Sequence, residues 1–456
     1  MHNRPTSLSC FSLLWLLLWL PSITTAEAPK DSQPVQSLPE LIFESSEHFD
    51  DIDSADLDGL LKRIGDSRVV LLGESTHGSA EFYQMRARIT RALIERKGFS
   101  IVAIEADWPD AESINRFVHG RSQLPSYTHQ PFSTFPTWMW ANDVFLEFTR
   151  WLKQHNQATR ATTPPVNIYG LDFYNLYFSV EVVIKYLQAV DPKAAQLARL
   201  HYACLLPWKN DPASYSTLMQ SGSYRDCGYE VHMVFQHILD NRQRYSQSGM
   251  QDYFNASQNS RLVLNGERFF RDLYTANNNN WNLRDQNMFD SLQHILTYHG
   301  EQSKAVVWAH NTHIGDARAT EMSSRGEINL GQRVREHFGD SAYLVGFGTH
   351  HGTVTAASEW GQQPKVMQLP AAHQDSYGHQ FRQVKADRFM LPLRDPLQVD
   401  TRDRLLKKRL LRAVGTSYYP DMELDMHYSC VSLPDAYDEL IWFDETHALN
   451  PFVVTR

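Results

Sequence analysis

Residues 69–78 read VVLLGESTHG, a run of four aliphatic residues followed by a polar turn. Four consecutive aliphatic residues ended by a glycine are typical of a short strand that is buried on both faces, as in a parallel sheet. Two chemically useful side chains, Glu74 and His77, follow the strand at once. Because ligands of open α/β sheets bind at the carboxyl ends of the strands, the stretch predicts both a core strand and the edge of a functional site.

Four further apolar runs of the same kind occur along the chain, at residues 101–104, 166–169, 305–309 and 342–347. Amphipathic helical patterns separate them, such as residues 79–96 with Gly98 as the expected C-cap. This alternation predicts an α/β fold with a mostly parallel central sheet and flanking helices. Residues 176–300 are helical in pattern and carry no strong strand signal, which predicts a large helical insertion after the third strand. Irregular structure is expected for residues 348–358 and 364–400.

The N-terminus is expected to be a secretory signal peptide, residues 1–26. Arg4 gives a small positive region, an apolar run covers residues 11–20, and small residues end the segment. A run of ten residues is too short to cross a bilayer as a helix; an uncleaved anchor and a buried core helix are the alternatives. The rest divides into a polar lead-in, residues 27–58, and one catalytic domain, residues 59–456. The expected location is therefore periplasmic or secreted.

The composition of the 456-residue chain is that of an ordinary globular protein. Apolar residues make up 42% and aromatic residues 12%, which suits a large core and an aromatic-lined pocket. The formal net charge of −9, from 43 basic and 52 acidic residues, argues against a nucleic-acid partner held by phosphate contacts. Cys10 falls in the predicted signal peptide. Cys204 and Cys227 either pair or remain free thiols, and the sequence leaves both possibilities open.

Polar residues also follow three more of the predicted strands: Glu105 and Asp107 after the second, Asp172 and Tyr174 after the third, His310 and His313 after the fourth. In a parallel sheet these strand ends share one edge of the molecule. We therefore expect several carboxylates and imidazoles to converge on one site with Glu74 and His77.

His77 is the best candidate for a general base, because imidazole titrates near neutral pH. Glu74, three residues earlier, is placed to orient the imidazole ring. Arg86 lies near the helix face directed at the sheet, and a charge there must be paired. It is expected to hold a carboxylate such as Glu105 or to stabilise an oxyanion; a purely structural salt bridge is the alternative.

The two later histidines allow two interpretations. His310 and His313 are either metal ligands, together with Glu74 and His77, or hydrogen-bond donors to substrate. Their spacing is not a strong zinc signature, and the sequence has no His-Glu-x-x-His motif.

Asp107 and Asp172 are either substrate-binding residues or helix caps, and Tyr174 is a further substrate-binding candidate. The sequence has no Gly-x-Ser-x-Gly elbow, no Gly-x-Gly-x-x-Gly after the first strand and no phosphate-binding Gly-rich loop. Hydrolysis would therefore use activated water rather than a covalent serine, and no cofactor is expected.

Taken in order, these motifs resemble the erythromycin esterase family. The matching stretches are LLGESTHGSAEF at 71–82, IEADW at 104–108, TWMW at 137–140, YGLD at 169–172, WAHNTH at 308–313, LPDAYD at 433–438 and FDETHAL at 443–449. They cover nearly all of the chain after the predicted signal peptide.

The resemblance implies an α/β core with a helical portion, and a hydrolase that opens the macrolactone ring of erythromycin-like antibiotics without a serine nucleophile or a metal. It implies that His77 is the general base on water. The supporting cluster of the family matches five residues: Glu74, Arg86, Glu105, His310 and His313. The expected partner is a small ester or macrolide. A metal-dependent hydrolase remains an alternative, as does a non-enzymatic haem- or metabolite-binding protein, suggested by the related haem-binding fold.

Overall fold

The predicted apolar runs form the centre of the sheet in a computed structural model of the protein. The structure describes residues 36–122, 132, 136–209, 211–222, 224–273, 279–394 and 399–452. The predicted signal peptide, residues 1–26, lies outside the described residues. In the described part of the chain the strands are β1 (Glu47–His48), β2 (Val69–Leu72), β3 (Ile101–Asp107), β4 (Asn167–Asp172), β5 (Ala305–Trp308), β6 (Ala342–Ala356), β7 (Lys365–Leu369), β8 (Arg388–Pro392), β9 (Arg409–Arg412), β10 (Tyr428–Val431) and β11 (Glu439–Thr446).

The α-helices flank and connect these strands. They are α1 (Leu38–Ser45), α2 (Asp58–Ile64), α3 (Ala80–Lys97), α4 (Trp108–Val118), α5 (Asp143–Thr159), α6 (Leu176–Val190), α7 (Pro192–Tyr202), α8 (Pro212–Gln220), α9 (Gly228–Asp240), α10 (Arg242–Tyr245), α11 (Met250–Arg271), α12 (Asn279–His299), α13 (Asn311–Ile314), α14 (Leu330–Phe338), α15 (Tyr377–Phe381), α16 (Val399–Leu406), α17 (Glu423–Met426) and α18 (Leu433–Ala436).

The central sheet has the strand order β1-β8-β11-β6-β2-β5-β3-β4. The run from β11 to β4 is parallel throughout, whereas β8, β1 and β7 pair in antiparallel fashion. The prediction of an α/β fold with a mostly parallel central sheet and flanking helices is confirmed. Both faces of the central strands are covered, which is why these strands are apolar without alternation.

Strand β2 shows how the sheet is covered. Val70 and Leu72 pack with residues of α3 and α5, whereas Val69 and Leu71 pack with residues of α12 and α14 on the opposite face. All four side chains are fully buried. Complete burial of each such side chain stabilises the fold by about 1.5–3 kcal/mol. The strand is therefore firmly held, and so is the polar turn that follows it.

The expectation of irregular structure at residues 348–358 is wrong for most of that segment. Strand β6 continues to Ala356 because two other strands pair with it beyond the end of β2. Strand β11 follows it in parallel as far as Gly352, and β7 pairs in antiparallel fashion with residues 352–356. The segment 364–400 likewise contains β7, α15, β8 and the start of α16. The strands among them depend on long-range pairing that local periodicity does not report.

Helices α6 to α12 lie between β4 and β5, in the segment interpreted as a helical insertion. Several of them share a small apolar core that includes Leu176, Val183, Val231 and Val263. Cys204 and Cys227 form a disulfide bond within this region, with their Cα atoms 5.9 Å apart. None of the helices formed by the described residues has the length and apolar character needed to cross a bilayer.

Candidate active site

The candidate site lies where four neighbouring parallel strands end. In the sheet, β2 lies next to β5, β5 next to β3 and β3 next to β4. Residues 73–78 follow β2 and residues 309–313 follow β5, whereas residues 105–107 are the last of β3 and residues 172–174 begin at the last residue of β4. The polar residues predicted at separate points of the sequence therefore meet along one edge.

A glycine makes the turn after β2 possible. Gly73 approaches Asn311 so closely that a Cβ atom added at Gly73 would lie 2.1 Å from Asn311 Oδ1. Asn311 in turn links the two strands beside it, because its backbone N–H donates to Glu74 O at 2.9 Å and its Nδ2 donates to Phe347 O at 2.6 Å. This packing fixes the backbone of Glu74 just before His77.

Glu74 joins His77 to Arg86. Oε1 of Glu74 lies 2.8 Å from His77 Nδ1, and Oε2 lies 2.6 Å from Arg86 Nη2. Glu74 and Arg86 are fully buried, and His77 retains 5% exposure. A carboxylate accepts hydrogen bonds only, so the proton of a neutral His77 ring lies on Nδ1 and the lone pair on Nε2. This is the arrangement in which an imidazole acts as a base.

Arg86 is held by aromatic rings as well as by Glu74. Its guanidinium carbon lies 4.1 Å from the centroid of the Tyr83 ring and 5.0 Å from that of Trp308. Such cation–π contacts stabilise a desolvated charge by about 2 kcal/mol. The suggestion that Arg86 holds Glu105 is wrong, because Glu105 has other partners. Arg86 extends from α3 to Glu74 instead, and so positions the carboxylate that contacts His77.

His310 is the N-cap residue of the short helix α13 and faces His77. The two imidazole centroids are 4.7 Å apart. The backbone N–H of Thr312 donates to His310 Nδ1, which places the ring proton on Nε2. Nε2 is buried and meets the geometric criteria for a hydrogen bond with no described residue, although the backbone of Ser75 lies close enough to favour the protonated ring. Burial and the nearby His77 hold the pKa of His310 well below its usual range, so the ring is neutral.

Glu105 lies at the centre of a second network. Its Oε2 accepts the backbone N–H of His310 at 2.8 Å, and its Oε1 accepts from Arg284 Nη2 at 2.8 Å and lies 3.3 Å from His313 Nε2. Burial opposes the charge of Glu105, but His313 and Arg284 hold the pKa of this carboxyl well below its usual range. Arg284 also binds Asp172, at 2.5 Å between Nη2 and Oδ2. Asp172 is therefore engaged by an arginine of α12.

His313 is enclosed by groups from α12. Its Nδ1 lies 2.9 Å from Asp285 Oδ1, and its ring stacks on Trp281 with the centroids 4.5 Å apart. Burial disfavours the imidazolium, but Asp285 and Glu105 outweigh it and raise the pKa of His313 to about 9. Arg284 Nη1, at 2.8 Å from Nε2, is the one cation in direct contact with the ring among the described residues. His313 is thus a buried charged group with no ring nitrogen left for a substrate.

Asp107 and Tyr174 lie at the β3 and β4 ends of the site. Asp107 precedes α4 but makes no capping hydrogen bond through its side chain, and its Oδ1 is buried without a partner among the described residues. Burial, Asp110 and Asp172 raise the pKa of Asp107 well above its usual range. The Tyr174 ring centroid lies 5.2 Å from the guanidinium carbon of Arg284. Both side chains are only partly buried.

The structure thus brings most of the predicted residues into two linked networks. One contains Glu74, His77 and Arg86, and the other contains Glu105, Asp172, His310 and His313. Sequence reasoning missed Arg284 and Asp285. Both lie on α12, in the helical insertion. Arg284 is separated from its partner Asp172 by 112 positions in the sequence. A charged pair inside an otherwise amphipathic helix was the available signal, but its partners are set by tertiary packing.

The four residues of the metal interpretation do not form a compact ligand set. Among the described residues, a group of His, Cys, Asp or Glu with its ligand atoms within 4.8 Å of one another occurs elsewhere, at His350, His351 and Asp444. In the site itself, the ring nitrogens of His313 and Nδ1 of His77 are engaged by protein groups.

Comparison with known proteins identifies the family. The erythromycin esterase family model matches residues 94–446. The chain belongs to the erythromycin esterase family. The site residues at the ends of β3, β4 and β5 lie inside the matched range. The turn after β2, which carries Glu74 and His77, precedes that range.

Two relatives of known sequence each share 21% identity with the chain. One is an Escherichia coli protein named erythromycin esterase type II, matched over 66% of this chain and 73% of its own length. The other is the Bacillus subtilis protein YbfO, matched over 67% and 70%. Together with the family match, these relatives support a hydrolase of that family.

Solved structures show the same fold. A Bacillus cereus protein superposes with a TM-score of 0.74 at 21% identity, covering 90% of this chain and 98% of its own. A succinoglycan biosynthesis protein gives 0.73 at 19% identity, covering 91% and 97%. A mutant of the erythromycin esterase EreC in its open conformation gives 0.65 at 15% identity, covering 88% and 97%.

Proposed function

We propose that this protein is a carboxylic ester hydrolase in which His77 activates water, without a metal and without a covalent intermediate. The observation that carries the proposal is the 2.8 Å contact between His77 Nδ1 and Glu74 Oε1, with Glu74 held by Arg86. This contact leaves Nε2 of His77 as the basic nitrogen. Membership of a hydrolase family supports the reaction class.

In the first step Nε2 of His77 removes a proton from water as the water oxygen attacks the ester carbonyl. The imidazolium that forms is stabilised by the Glu74 carboxylate, in the way that the aspartate of a Ser-His-Asp triad acts. In the second step the same proton passes to the alkoxide as the C–O bond of the ester breaks. The products are a carboxylic acid and an alcohol, and the enzyme returns to its starting state.

His310 is the best placed oxyanion donor of the three candidates. Arg86 is fully buried behind Glu74, and both ring nitrogens of His313 face carboxylates, Nδ1 that of Asp285 and Nε2 that of Glu105. His310 instead carries a proton on Nε2, which has no hydrogen-bond partner among the described residues. Its ring lies beside His77, and its backbone is fixed by Glu105. A preorganised neutral donor of this kind contributes about 3–4 kcal/mol to transition-state stabilisation.

Glu105, Arg284 and His313 act as positioning residues in this scheme. Glu105 holds the backbone of His310, and Arg284 and His313 keep Glu105 ionised. Arg284 also fixes Asp172. Asp172 therefore acts through Arg284, while Asp107 and Tyr174, which are partly exposed, are the residues proposed to touch substrate.

The proposed substrate class is a macrolactone of the erythromycin type, or another ester of similar size. The family model and the relative named as an erythromycin esterase support the first choice. An apolar substrate would meet aromatic rings at this edge, since Tyr174 lies 5.5 Å from Phe269 and 6.1 Å from Trp360 between ring centroids. Trp360 is 62% exposed, so a large part of its surface lies where a ligand would enter.

We also propose that the protein is exported, to the periplasm or the medium. The pattern of residues 1–26 supports a cleaved signal peptide. The Cys204–Cys227 disulfide supports an oxidising compartment, because such bonds are rare in reducing cytosol. N-terminal sequencing of the protein from its native cells tests this directly, and a mature chain that begins near residue 27 is expected.

The reaction is tested by mass spectrometry of a macrolide and ester panel incubated with the purified protein in ¹⁸O water. We expect a gain of one water, with ¹⁸O in the new carboxylate already in the first turnover. An acyl-enzyme also takes its product oxygen from water, so it is sought separately in the intact mass of the protein when the reaction is quenched with acid before steady state. A covalent adduct of the substrate on the protein would contradict the proposal. Equal rates with and without chelator are expected; loss of activity that a divalent metal restores would contradict the metal-free proposal.

A further inference from the structure

A second group of ionisable side chains lies on the sheet but outside the catalytic cluster. His350 and His351 are on β6, and Asp444 is on the parallel neighbour β11. Glu445 pairs with His351 in the strand register, so the preceding Asp444 lies alongside His350. One ligand atom from each of the three side chains lies within 4.8 Å of the other two.

We propose that His350, His351 and Asp444 bind one divalent transition-metal ion of the Zn²⁺ class. Two imidazoles and a carboxylate are a donor set that suits Zn²⁺ with a fourth position left for water. Strands β6 and β11 hold the three donors on adjacent backbone. Metal binding would therefore cross-link the two strands at this end of the sheet.

The distance between the two histidines supports the assignment. Nδ1 of His350 and Nδ1 of His351 are 3.1 Å apart. Two nitrogen ligands of a tetrahedral zinc ion, each about 2.0–2.1 Å from the metal, lie about 3.3 Å from each other. Little rearrangement of the rings is therefore needed to receive an ion.

One carboxylate oxygen of Asp444 makes no hydrogen bond with the described residues. Its Oδ2 accepts from Arg382 Nη1 at 2.8 Å, whereas its Oδ1 is buried without a hydrogen-bond partner among the described residues. An unsatisfied buried carboxylate oxygen costs about 1–3 kcal/mol. A bound cation would remove that cost, so the third ligand is both close and free.

The surrounding charges nearly balance. Arg382 repels a cation, but its side chain is 52% exposed and its charge is screened by water. Arg412 is buried and neutralised by Glu423, 2.9 Å from its Nε. The carboxylates of Asp387 and Glu445 also act on Asp444 and favour a positive charge there. Because of Arg382, we expect an affinity for Zn²⁺ that is micromolar rather than nanomolar.

The test is calorimetric titration of untagged, chelator-treated protein with Zn²⁺, with Co²⁺ absorption as a second readout of tetrahedral coordination. One equivalent is expected to bind. His351→Ala and Asp444→Asn should each weaken binding at least about tenfold, with circular dichroism used to show that each variant is folded. Arg382→Gln should tighten binding about two- to fivefold, because it removes the competing cation.

Two controls separate this site from others. His373→Ala alters a partly exposed histidine outside the group, and His77→Asn alters the catalytic cluster; both should bind Zn²⁺ as the wild type does. Binding that survives in folded His350→Ala, His351→Ala and Asp444→Asn variants would overturn the proposal. Loss of binding in His77→Asn would do the same, since it would place the ion in the catalytic cluster.

Discussion

The buried link between Glu74 and Arg86 gives a prediction that separates catalysis from stability. In Glu74→Gln the side chain keeps its shape but loses its charge. Its amide group then donates to His77 Nδ1 and favours the tautomer with the proton on Nε2, which cannot act as a base. The analogous change of the aspartate in a Ser-His-Asp triad lowers kcat about 10⁴-fold. We expect a fall of about 10³–10⁴ here, equivalent to about 4–5.5 kcal/mol.

The same change also leaves Arg86 buried without a counter-charge. Glu74 and Arg86 are both fully buried, and removal of one partner of such a pair destabilises a protein by about 3–5 kcal/mol. Loss of activity in the single variant therefore has two possible causes. The double variant Glu74→Gln/Arg86→Met distinguishes them, because no unpaired charge remains in it and most of the stability should return.

The assay combines initial rates of ester hydrolysis with urea unfolding of the wild type and both variants. We expect the unfolding midpoint to fall in Glu74→Gln and to recover in the double variant, while kcat stays low in both. If the double variant recovered both its midpoint and a rate within tenfold of the wild type, Glu74 would be a structural residue and the reasoning on the tautomer would be refuted.

Three further predictions concern the second network. His310→Phe should lower kcat about 10²–10³-fold with little change in KM, as steady-state kinetics will show, whereas His310→Gln, which keeps a donor, should lose less. The pKa of His313 is about 9 in the folded protein, so its imidazolium contributes about 3 kcal/mol to the free energy of unfolding. This contribution is complete below pH 6.5 and is lost as the pH rises through 9. Unfolding measured from pH 6 to 10 should show this loss, and Asp285→Asn should diminish it. Arg284→Met should destabilise the protein by about 3–5 kcal/mol, measured by urea unfolding, since it leaves two buried carboxylates without their arginine; an unchanged midpoint would contradict the role given to Arg284.

The sequence predicts the edge of the sheet well because the central strands are buried on both faces. Their apolar runs are continuous, so the strand ends are sharp, and Glu74, Glu105 and His310 could be placed at a common edge before any contact was known. The parallel order of the strands then brings them together.

The contacts made by helices could not be predicted in the same way. Helical periodicity places Arg86 on the face toward the sheet, but it does not say which carboxylate Arg86 meets there. Tertiary packing makes that carboxylate Glu74. Arg284 and Asp285 reach the site from α12 by tertiary packing alone. The extension of β6 through His350 and His351 was missed for a related reason: its partners β7 and β11 follow it in the chain and supply the pairing.

In the proposed reaction His77 is the base that activates water. The most direct test compares hydrolysis by the wild type, His77→Asn and the control His447→Asn, which alters a histidine whose side chain is 67% exposed. This role of His77 predicts that His77→Asn lowers kcat about 10²–10⁴-fold with an unchanged unfolding midpoint, while His447→Asn retains nearly full activity. A folded His77→Asn variant that turned over the ester within tenfold of the wild-type rate would contradict it.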